Sequence, residues 1–290
     1  MLVAFTSYSF GSWRFCGFPS VQVQKITTIA ATTPPPPSIV ASRIVLTKVL
    51  IGTRAGPYEL GLEVLKQYAA KYGYKFHVLR HMHPKMEGRA PAWAKLLLYE
   101  DLCATNLYDW VFIQDGDAII LNNTIRLETL IEEGGIDKDL IVIADTLVLN
   151  SGVMFCRCSE WTKRLFRLAW KVWPLEPSYM QENGALAATM AGCNENSTYQ
   201  ERNACYQKAD LGWRDREFAK RNANADRTAI ATLVTPDVLE HVGWVVKTHM
   251  NSYYDDYQVG HFILHAAAKG GEKDSFLMQH YNAAKKMNLI

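Results

Sequence analysis

The chain has 290 residues, of which 49% are hydrophobic, 21% charged and 11% aromatic. These proportions are typical of a folded globular protein and exclude a disordered one. The formal net charge is only +2 and no block of lysine and arginine stands out, which argues against a nucleic-acid partner. We expect one sizeable domain over residues 43–290, preceded by a separate segment over residues 1–42.

The segment 1–42 differs in composition from the rest of the chain. It contains no acidic residue, is rich in Ser, Thr and Val, and includes a run of four prolines at 34–37 that predicts an extended spacer. Its apolar stretch over 1–18 is interrupted by Gly11, Ser12 and Arg14 and is shorter than a membrane-spanning helix requires. We therefore predict no transmembrane helix, and a weak signal sequence, a transit-like segment and a stalk all remain open.

Six cysteines are present, but they do not form the two CxxC pairs of a structural zinc site. Cys193 and Cys205 bracket a polar stretch that contains an N-glycosylation sequon at Asn196, and a second sequon begins at Asn122. These features together suggest the lumen of the secretory pathway. Chance occurrence is the alternative, because sequons are common in chains of this length.

Strands and helices alternate from Ile44 onward. Residues 193–227 interrupt this alternation and predict an inserted surface loop or short helix, and core sequence resumes at 231–234 and ends at 262–265. The alternation predicts an α/β fold with a mostly parallel central sheet and helices on both faces. In chain order we predict strands over 44–52, 74–79, 110–113, 119–121 and 140–144, and helices over 59–72, 91–104, 127–133 and 160–172.

Two aspartates follow the strongly apolar strand over 110–113. In extended backbone Asp115 and Asp117 point to the same side, so both carboxylates can reach one divalent cation. Gly116 leaves room between them for a diphosphate to approach the backbone. Oxygen ligands suit Mg²⁺ or Mn²⁺, and α/β sheets bind ligands beyond the carboxyl ends of their strands. The pattern predicts a metal site, while a turn with two solvated aspartates would have the same sequence.

His265 ends a second apolar run, which begins at Phe262. A histidine in such a position is more often a hydrogen-bonded core residue than a metal ligand. The aspartate pair earlier in the chain changes that balance, because imidazole and carboxylate groups are both common ligands of divalent metals. We therefore include His265 as a candidate third ligand.

A series of short motifs gives the chain a resemblance to a known family. Their order over about residues 68–269 resembles glycosyltransferase family 34, which contains α-galactosyl-, α-mannosyl- and xyloglucan α-xylosyltransferases. The resemblance implies a GT-A fold and Mn²⁺ held by Asp115, Asp117 and His265. The motifs are YAAKYGY at 68–74, PAWAK at 91–95, DGD at 115–117, LNSG at 149–152, SEW at 159–161, NSY at 251–253 and GHFILH at 260–265.

The resemblance also implies contacts to a nucleotide-sugar donor. Asp115 and Gly116 would lie beside its diphosphate, Lys95 and Lys269 would contact phosphate, and Asn150 would contact the sugar. From the residues alone, Lys95 would stabilise charge that develops on a leaving group, or it would be a solvated helix lysine. Asn150 would equally suit a turn before a strand.

Two positions depart from the family pattern. Where the family has an aspartate shortly before the metal histidine, this chain has His261. Where the family has an acidic residue followed by glutamine, on the acceptor side of the site, this chain has Glu182 followed by Asn183. The resemblance places both of these last residues at the catalytic centre, and the shorter asparagine implies that the reacting centre is stabilised differently from, or less well than, that of the family.

The expected activity is retaining transfer of galactose, xylose or mannose from UDP-galactose, UDP-xylose or GDP-mannose to a glycan hydroxyl. Two alternatives remain open: a catalytically silent protein that binds nucleotide sugar, and a metal-dependent phosphohydrolase. The family resemblance implies location in the Golgi lumen behind a membrane anchor, although no anchor is recognisable in this sequence.

Overall fold

The computed structural model describes residues 39–52, 56–175, 180–211, 227–253, 257–266 and 272–290. The predicted N-terminal segment over 1–42 therefore lies almost entirely outside the described residues, and its nature stays a prediction. Among the helices that the structure describes, none combines the length and apolar composition needed to cross a bilayer.

Within the described residues, nine strands form two sheets. The larger sheet has the order β2-β1-β3-β6-β5-β7, and every strand in it except β6 runs in the same direction. The predicted mostly parallel sheet is thereby confirmed. The strands are β1 Ile44–Val49, β2 Lys75–Leu79, β3 Trp110–Gln114, β4 Ala118–Ile120, β5 Leu140–Val142, β6 Val153–Arg157, β7 Val242–Trp244, β8 Ser252–Tyr253 and β9 Ile263–His265.

The smaller sheet has the order β4-β9-β8, with β9 antiparallel to β4 and parallel to β8. It begins only four residues after β3 ends, because the chain leaves the larger sheet at Gln114 and enters β4 at Ala118. In the β4–β9 pairing, Ala118 lies opposite His265. The predicted strand over 119–121 therefore exists, but it belongs to this second sheet.

Helices cover both faces of the larger sheet, as predicted. They are α1 Pro57–Tyr72, α2 Ala94–Ala104, α3 Leu127–Gly134, α4 Glu160–Val172, α5 Gln181–Met190, α6 Tyr199–Ala209, α7 Arg227–Ala231, α8 Pro236–His241, α9 Lys247–Met250 and α10 Lys273–Lys286. Single 3₁₀ turns span Ala41–Arg43 and Pro91–Trp93.

Alternate strand residues face the two helical layers, as the pleat of a strand requires. Leu46 and Phe112 belong to the core that includes residues of α1 and α3. Val45 and Val111 belong to the core on the opposite face, which includes residues of α2, α4 and α5. This alternation decides which helix each side chain at the end of β3 can reach.

Local sequence accounts for several helix boundaries. Helix α1 has Pro57 at its first position and ends at Gly73, whose φ of 77° is the left-handed conformation that glycine adopts most readily. Helix α4 begins after Ser159, whose side chain accepts a hydrogen bond from the Thr162 amide. The predicted helix over 91–104 consists of a 3₁₀ turn followed by α2. Helix α10 was not predicted from the sequence.

Two disulfides lie within the described residues. Cys103 of α2 is bonded to Cys158, just after β6, and Cys193 is bonded to Cys205 of α6. The remaining cysteine in the described residues, Cys156, is buried and free. Within the predicted polar insertion over 193–227, residues 199–209 form α6, and residues 212–226 lie outside the described part of the chain.

Candidate functional site

The two aspartates lie on a tight turn between the two sheets. The Asp115 amide donates to the Gly152 carbonyl oxygen at 2.7 Å, and the Ala118 amide donates back to the Asp115 carbonyl oxygen at 3.2 Å. The sequence argument that an extended strand would align the two carboxylates was therefore wrong in detail. A turn, not an extended backbone, brings Asp115 and Asp117 to one place.

Asp115, Asp117 and His265 form a cluster that could hold a metal ion. One ligand atom from each residue lies within 4.8 Å of the others. His265 is held by β9 opposite the start of β4, which brings its Nε2 to 3.3 Å from Asp117 Oδ1. The Asp115 side chain is 29% exposed and that of Asp117 16%, so the cluster is open on one side. This opening leaves space for ligands that the protein does not supply.

The surroundings of His265 fit a role as a metal ligand. The ring is buried, and its Nδ1 has no hydrogen-bond partner among the described residues. The ring nitrogen that faces Asp117 is Nε2, so Nε2 is the atom placed to bind a metal, and an ion there would not satisfy Nδ1. A β-carbon added to Gly152 would clash with Cε1 of the ring, so glycine at 152 is what lets the imidazole occupy this position.

Lys273, at the start of α10, contacts the same aspartate. Its Nζ lies 2.5 Å from Asp117 Oδ2, while His265 faces Oδ1. Burial raises the pKa of Asp117, but the hydrogen bonds from His265 and Lys273 outweigh burial and hold that pKa well below its usual range. The carboxylate is thus ionised, as a metal ligand must be. Lys269, the predicted phosphate contact, lies outside the described residues.

Lys95 of α2 is buried, so it is not the solvated lysine that the sequence left open. Its Nζ lies 2.5 Å from Asp115 Oδ1 and 2.9 Å from Glu182 Oε1, and it donates to the Ser151 carbonyl oxygen at 3.2 Å. Burial lowers the pKa of Lys95, but the two carboxylates outweigh burial and raise it. Burial also raises the pKa of Asp115, against the opposing effect of Lys95.

Glu182 and Asn183 both hold the loop that precedes β6. Ser151 Oγ donates to Glu182 Oε1 at 2.9 Å, and the Ser151 amide donates to Asn183 Oδ1 at 2.8 Å. Glu182 is 4% exposed and is linked to the metal cluster by Lys95, which also contacts Asp115. The structure therefore brings Lys95, Asp115 and Glu182 together, and it gives Asn183 a contact that fixes the loop.

Asn150 lies at the centre of a buried polar network. Its Oδ1 accepts from the Gly152 amide at 2.9 Å and from Asn251 Nδ2 at 3.1 Å. Its Nδ2 donates to Asp145 Oδ2 at 3.3 Å and to the Tyr253 hydroxyl, which itself donates to Asp145 Oδ2 at 2.5 Å. The hydrogen bond from the Gly152 amide to Asn150 forms the turn that the sequence suggested as an alternative role for Asn150. Contact of Asn150 with a sugar stays a prediction.

Gly116 and His261, two further residues singled out in the sequence, each contact other parts of the protein. A β-carbon on Gly116 would come within 3.2 Å of Leu50 Cδ2 and 3.3 Å of the Val49 carbonyl oxygen, so the turn packs closely on the end of β1. His261 Nδ1 lies 2.9 Å from Ser252 Oγ and accepts from the Gln258 amide at 3.2 Å. His261 thus joins β8 to the segment before β9.

Sequence reasoning missed two lysines, Lys273 and Lys48. Nothing in the sequence around Lys273 distinguishes it from other helix-terminal lysines. Lys48 had a signal that was not used, because it places a charged residue in β1, a strand whose other residues are apolar apart from Thr47. Its side chain is fully buried, and burial lowers its pKa to about 7, although Asp117 and Asp115 oppose this shift.

The contact between Gly152 and His265 gives a prediction about metal binding. Replacement of Gly152 by alanine should push the imidazole out of the cluster and weaken Mn²⁺ binding by about tenfold or more, the usual effect of disturbing a ligand's support. Isothermal titration calorimetry would measure the change.

Gly73→Ala is a suitable control for that experiment. A β-carbon at Gly73 meets no atom within 4 Å, but its φ of 77° makes alanine unfavourable there by about 1 kcal/mol. This variant should lose some stability and keep its Mn²⁺ affinity. If Gly152→Ala binds Mn²⁺ as tightly as the unaltered protein does, His265 is not a ligand.

Comparison with solved structures supports the fold. A crystal structure of a glycosyltransferase involved in glycosylation of the major capsid of PBCV-1 matches with a TM-score of 0.53 and 11% identity, over 81% of this chain and 98% of that chain. A197 from STIV matches at 12% identity with a TM-score of 0.30, over 48% and 73% of the two chains, which is too weak to carry an argument. No family model and no curated protein matches the sequence. The chain therefore has an α/β fold like that of a known glycosyltransferase, and membership in family 34 stays a prediction.

Proposed function

We propose that the protein is a metal-dependent retaining glycosyltransferase, which transfers a sugar from a nucleoside diphosphate to a hydroxyl group of a glycan. The observation that carries this proposal is the cluster of Asp115, Asp117 and His265 at the carboxyl end of β3, in a fold like that of a glycosyltransferase. Ligands of α/β sheets bind at this end of the strands. The proposal includes membership in family 34 and a hexosyl or pentosyl donor.

The charges around the cluster fit a cation and a diphosphate. Bound at these three ligands, Mn²⁺ or Mg²⁺ supplies positive charge to a diphosphate leaving group. Without it, the ion pairs of the site are those of Lys95 with Asp115 and Glu182 and of Lys273 with Asp117, while a third nearby lysine, Lys48, donates to uncharged groups of Gln114 and Ala118. Lys273 is better placed than Lys95 to contact phosphate, because its side chain is 23% exposed while that of Lys95 is 1% exposed.

Lys95 would then act mainly by positioning carboxylates. It binds one oxygen of Asp115 and one of Glu182, so it fixes the distance between the metal cluster and the predicted acceptor side.

Two routes to retention of the anomeric configuration remain open. In one, the acceptor hydroxyl attacks the anomeric carbon on the face that the diphosphate leaves. In the other, a Glu182 oxygen displaces the diphosphate, and the acceptor hydroxyl then displaces Glu182.

A catalytically silent nucleotide-sugar-binding protein is the second candidate. The observation in its favour is that Asn183 and His261 stand where the family has glutamine and aspartate, and both are engaged within the protein. Such a protein would bind donor and metal without turnover. A metal-dependent phosphohydrolase is the third candidate, and it would release phosphate with no sugar acceptor.

Nucleotide release tests the proposed function. The purified protein should release nucleotide from one donor among UDP-galactose, UDP-xylose and GDP-mannose in the presence of Mn²⁺. Release should fall by at least about a hundredfold in Asp117→Ala and on addition of a chelator, because charge stabilisation of the leaving group is lost. Asp137→Ala is a matched control, since that side chain is 75% exposed and lies outside the cluster.

The other outcomes of this assay separate the candidates. Donor binding without release, across a broad panel of glycan acceptors, would favour the silent protein. Release of inorganic phosphate from phosphate esters would favour the phosphohydrolase. If the protein neither binds nor cleaves any of the donors, or if Asp137→Ala loses activity as Asp117→Ala does, the assignment of the site is wrong.

For cellular location, we propose the Golgi lumen, with membrane association through an anchor that the sequence does not reveal. Two disulfides support an oxidising compartment. The two sequons differ in access. Asn196 is exposed, whereas Asn122 is 8% exposed, donates to the Gly260 carbonyl oxygen at 2.6 Å and accepts from Thr124.

This difference predicts glycosylation at a single site. When the protein is expressed through the secretory pathway of eukaryotic cells, an endoglycosidase should shift its electrophoretic mobility. Asn196→Gln should abolish the shift, and Asn122→Gln should leave it unchanged. A protein that carries no glycan, or one that keeps its glycan in Asn196→Gln, would count against the proposed location and the assigned acceptor.

A further inference from the structure

Lys48 is a buried lysine for which the proposed reaction gives no role. It lies on β1 with no measurable exposure, in a strand whose other residues are apolar apart from Thr47. Within the described residues no carboxylate forms an ion pair with its ammonium group. Burial of a charged group without a paired charge costs several kcal/mol. An apolar side chain of similar size would be expected here if packing were the only requirement.

The contacts of Lys48 join the two ends of the turn that carries the aspartates. Its Nζ donates to Gln114 Oε1 at 3.2 Å and to the Ala118 carbonyl oxygen at 2.5 Å. Gln114 is the last residue of β3, Ala118 is the first residue of β4, and Asp115, Gly116 and Asp117 lie between them. A single ammonium group therefore spans the connection between the two sheets.

Neighbouring residues leave space for this ammonium group. In the parallel pairing of β1 with β3, Lys48 lies opposite Gln114, so both side chains face the layer of α1. There α1 has Gly61, where a β-carbon would come within 3.2 Å of Lys48 Nζ and 3.0 Å of Ile119 Cγ1. Any larger residue at 61 would compete with the lysine for this space.

On the opposite face of the sheet, Lys95 contacts the turn at Asp115. Lys95 thus holds the turn through the Asp115 carboxylate. Lys48 holds it through the two residues that flank the turn, Gln114 and Ala118. We infer that Lys48 is a positioning residue, which fixes Asp115 and Asp117 as a pair for the cation from behind the turn. This inference rests on the metal site of the proposed function.

Mn²⁺ binding by Lys48→Met tests the inference without any assay of activity. Methionine keeps a similar length and is apolar, but it cannot donate to Gln114 or Ala118. Loss of such a supporting contact should weaken Mn²⁺ binding by about 10- to 100-fold, measured as free Mn²⁺ by electron paramagnetic resonance. Removal of a nearby positive charge would by itself strengthen binding of a cation, so the direction of the change separates positioning from simple repulsion.

Thr47→Val is the matched control. Thr47 is the preceding residue of β1, is equally buried, and also donates one hydrogen bond to β3, from Oγ1 to the Phe112 carbonyl oxygen at 3.2 Å. Its side chain is not directed at the turn. Thr47→Val should therefore lose stability without a change of more than about twofold in Mn²⁺ affinity, because it disturbs no support of a ligand.

A second variant covers the case in which Lys48→Met does not fold. Gln114→Leu removes one of the two contacts of Lys48, and it should weaken Mn²⁺ binding in the same direction by a smaller factor. Unchanged or tighter binding by Lys48→Met, or by Gln114→Leu if only that variant folds, would overturn the inference and leave the metal site in place. Absence of Mn²⁺ binding by the unaltered protein would overturn both.

Discussion

The buried ammonium group of Lys95, held between Asp115 and Glu182, is the interaction on which the rest of the site depends. It connects α2, the end of β3 and α5, and its third contact reaches the loop at Ser151. Loss of one partner from a buried ion pair typically costs about 3–5 kcal/mol, because the other charge stays buried. The three elements are therefore constrained to one arrangement, and that arrangement fixes where Asp115 lies.

The reversed strand β6 adds the second constraint. Because β6 runs antiparallel to β3, with Val153 opposite Gln114, β6 begins where β3 ends, and the loop before β6 leads into that point. This places Gly152 against Asp115 through a backbone hydrogen bond and against the His265 ring by close packing. If β6 ran parallel to β3, a different loop would lie beside the turn that carries Asp115 and Asp117. Through Gly152, the reversed strand β6 thus brings one residue into contact with both the turn after β3 and the His265 ring of the smaller sheet.

Much of this arrangement follows from sequence patterns. The helix boundaries at Gly73 and Ser159 depend on local backbone chemistry, and the apolar runs before Asp115 and His265 predict the two buried strands that deliver these ligands. The strand direction of β6 does not follow, because a strand of either direction has the same apolar pattern. Nor does the contact of Lys273 with Asp117, which depends on where α10 packs, 156 residues further along the chain. The buried state of Asn122 depends likewise on a distant carbonyl group, at Gly260.

We propose that one divalent cation binds Asp115, Asp117 and His265 and takes part in binding a nucleoside diphosphate. A crystal structure of the protein with Mn²⁺ and UDP, with data collected at the manganese absorption edge, tests it most directly. We expect one anomalous peak in coordination contact with both carboxylates, the imidazole and the diphosphate oxygens. A manganese peak elsewhere, or UDP bound with no metal between its diphosphate and the aspartates, would contradict it.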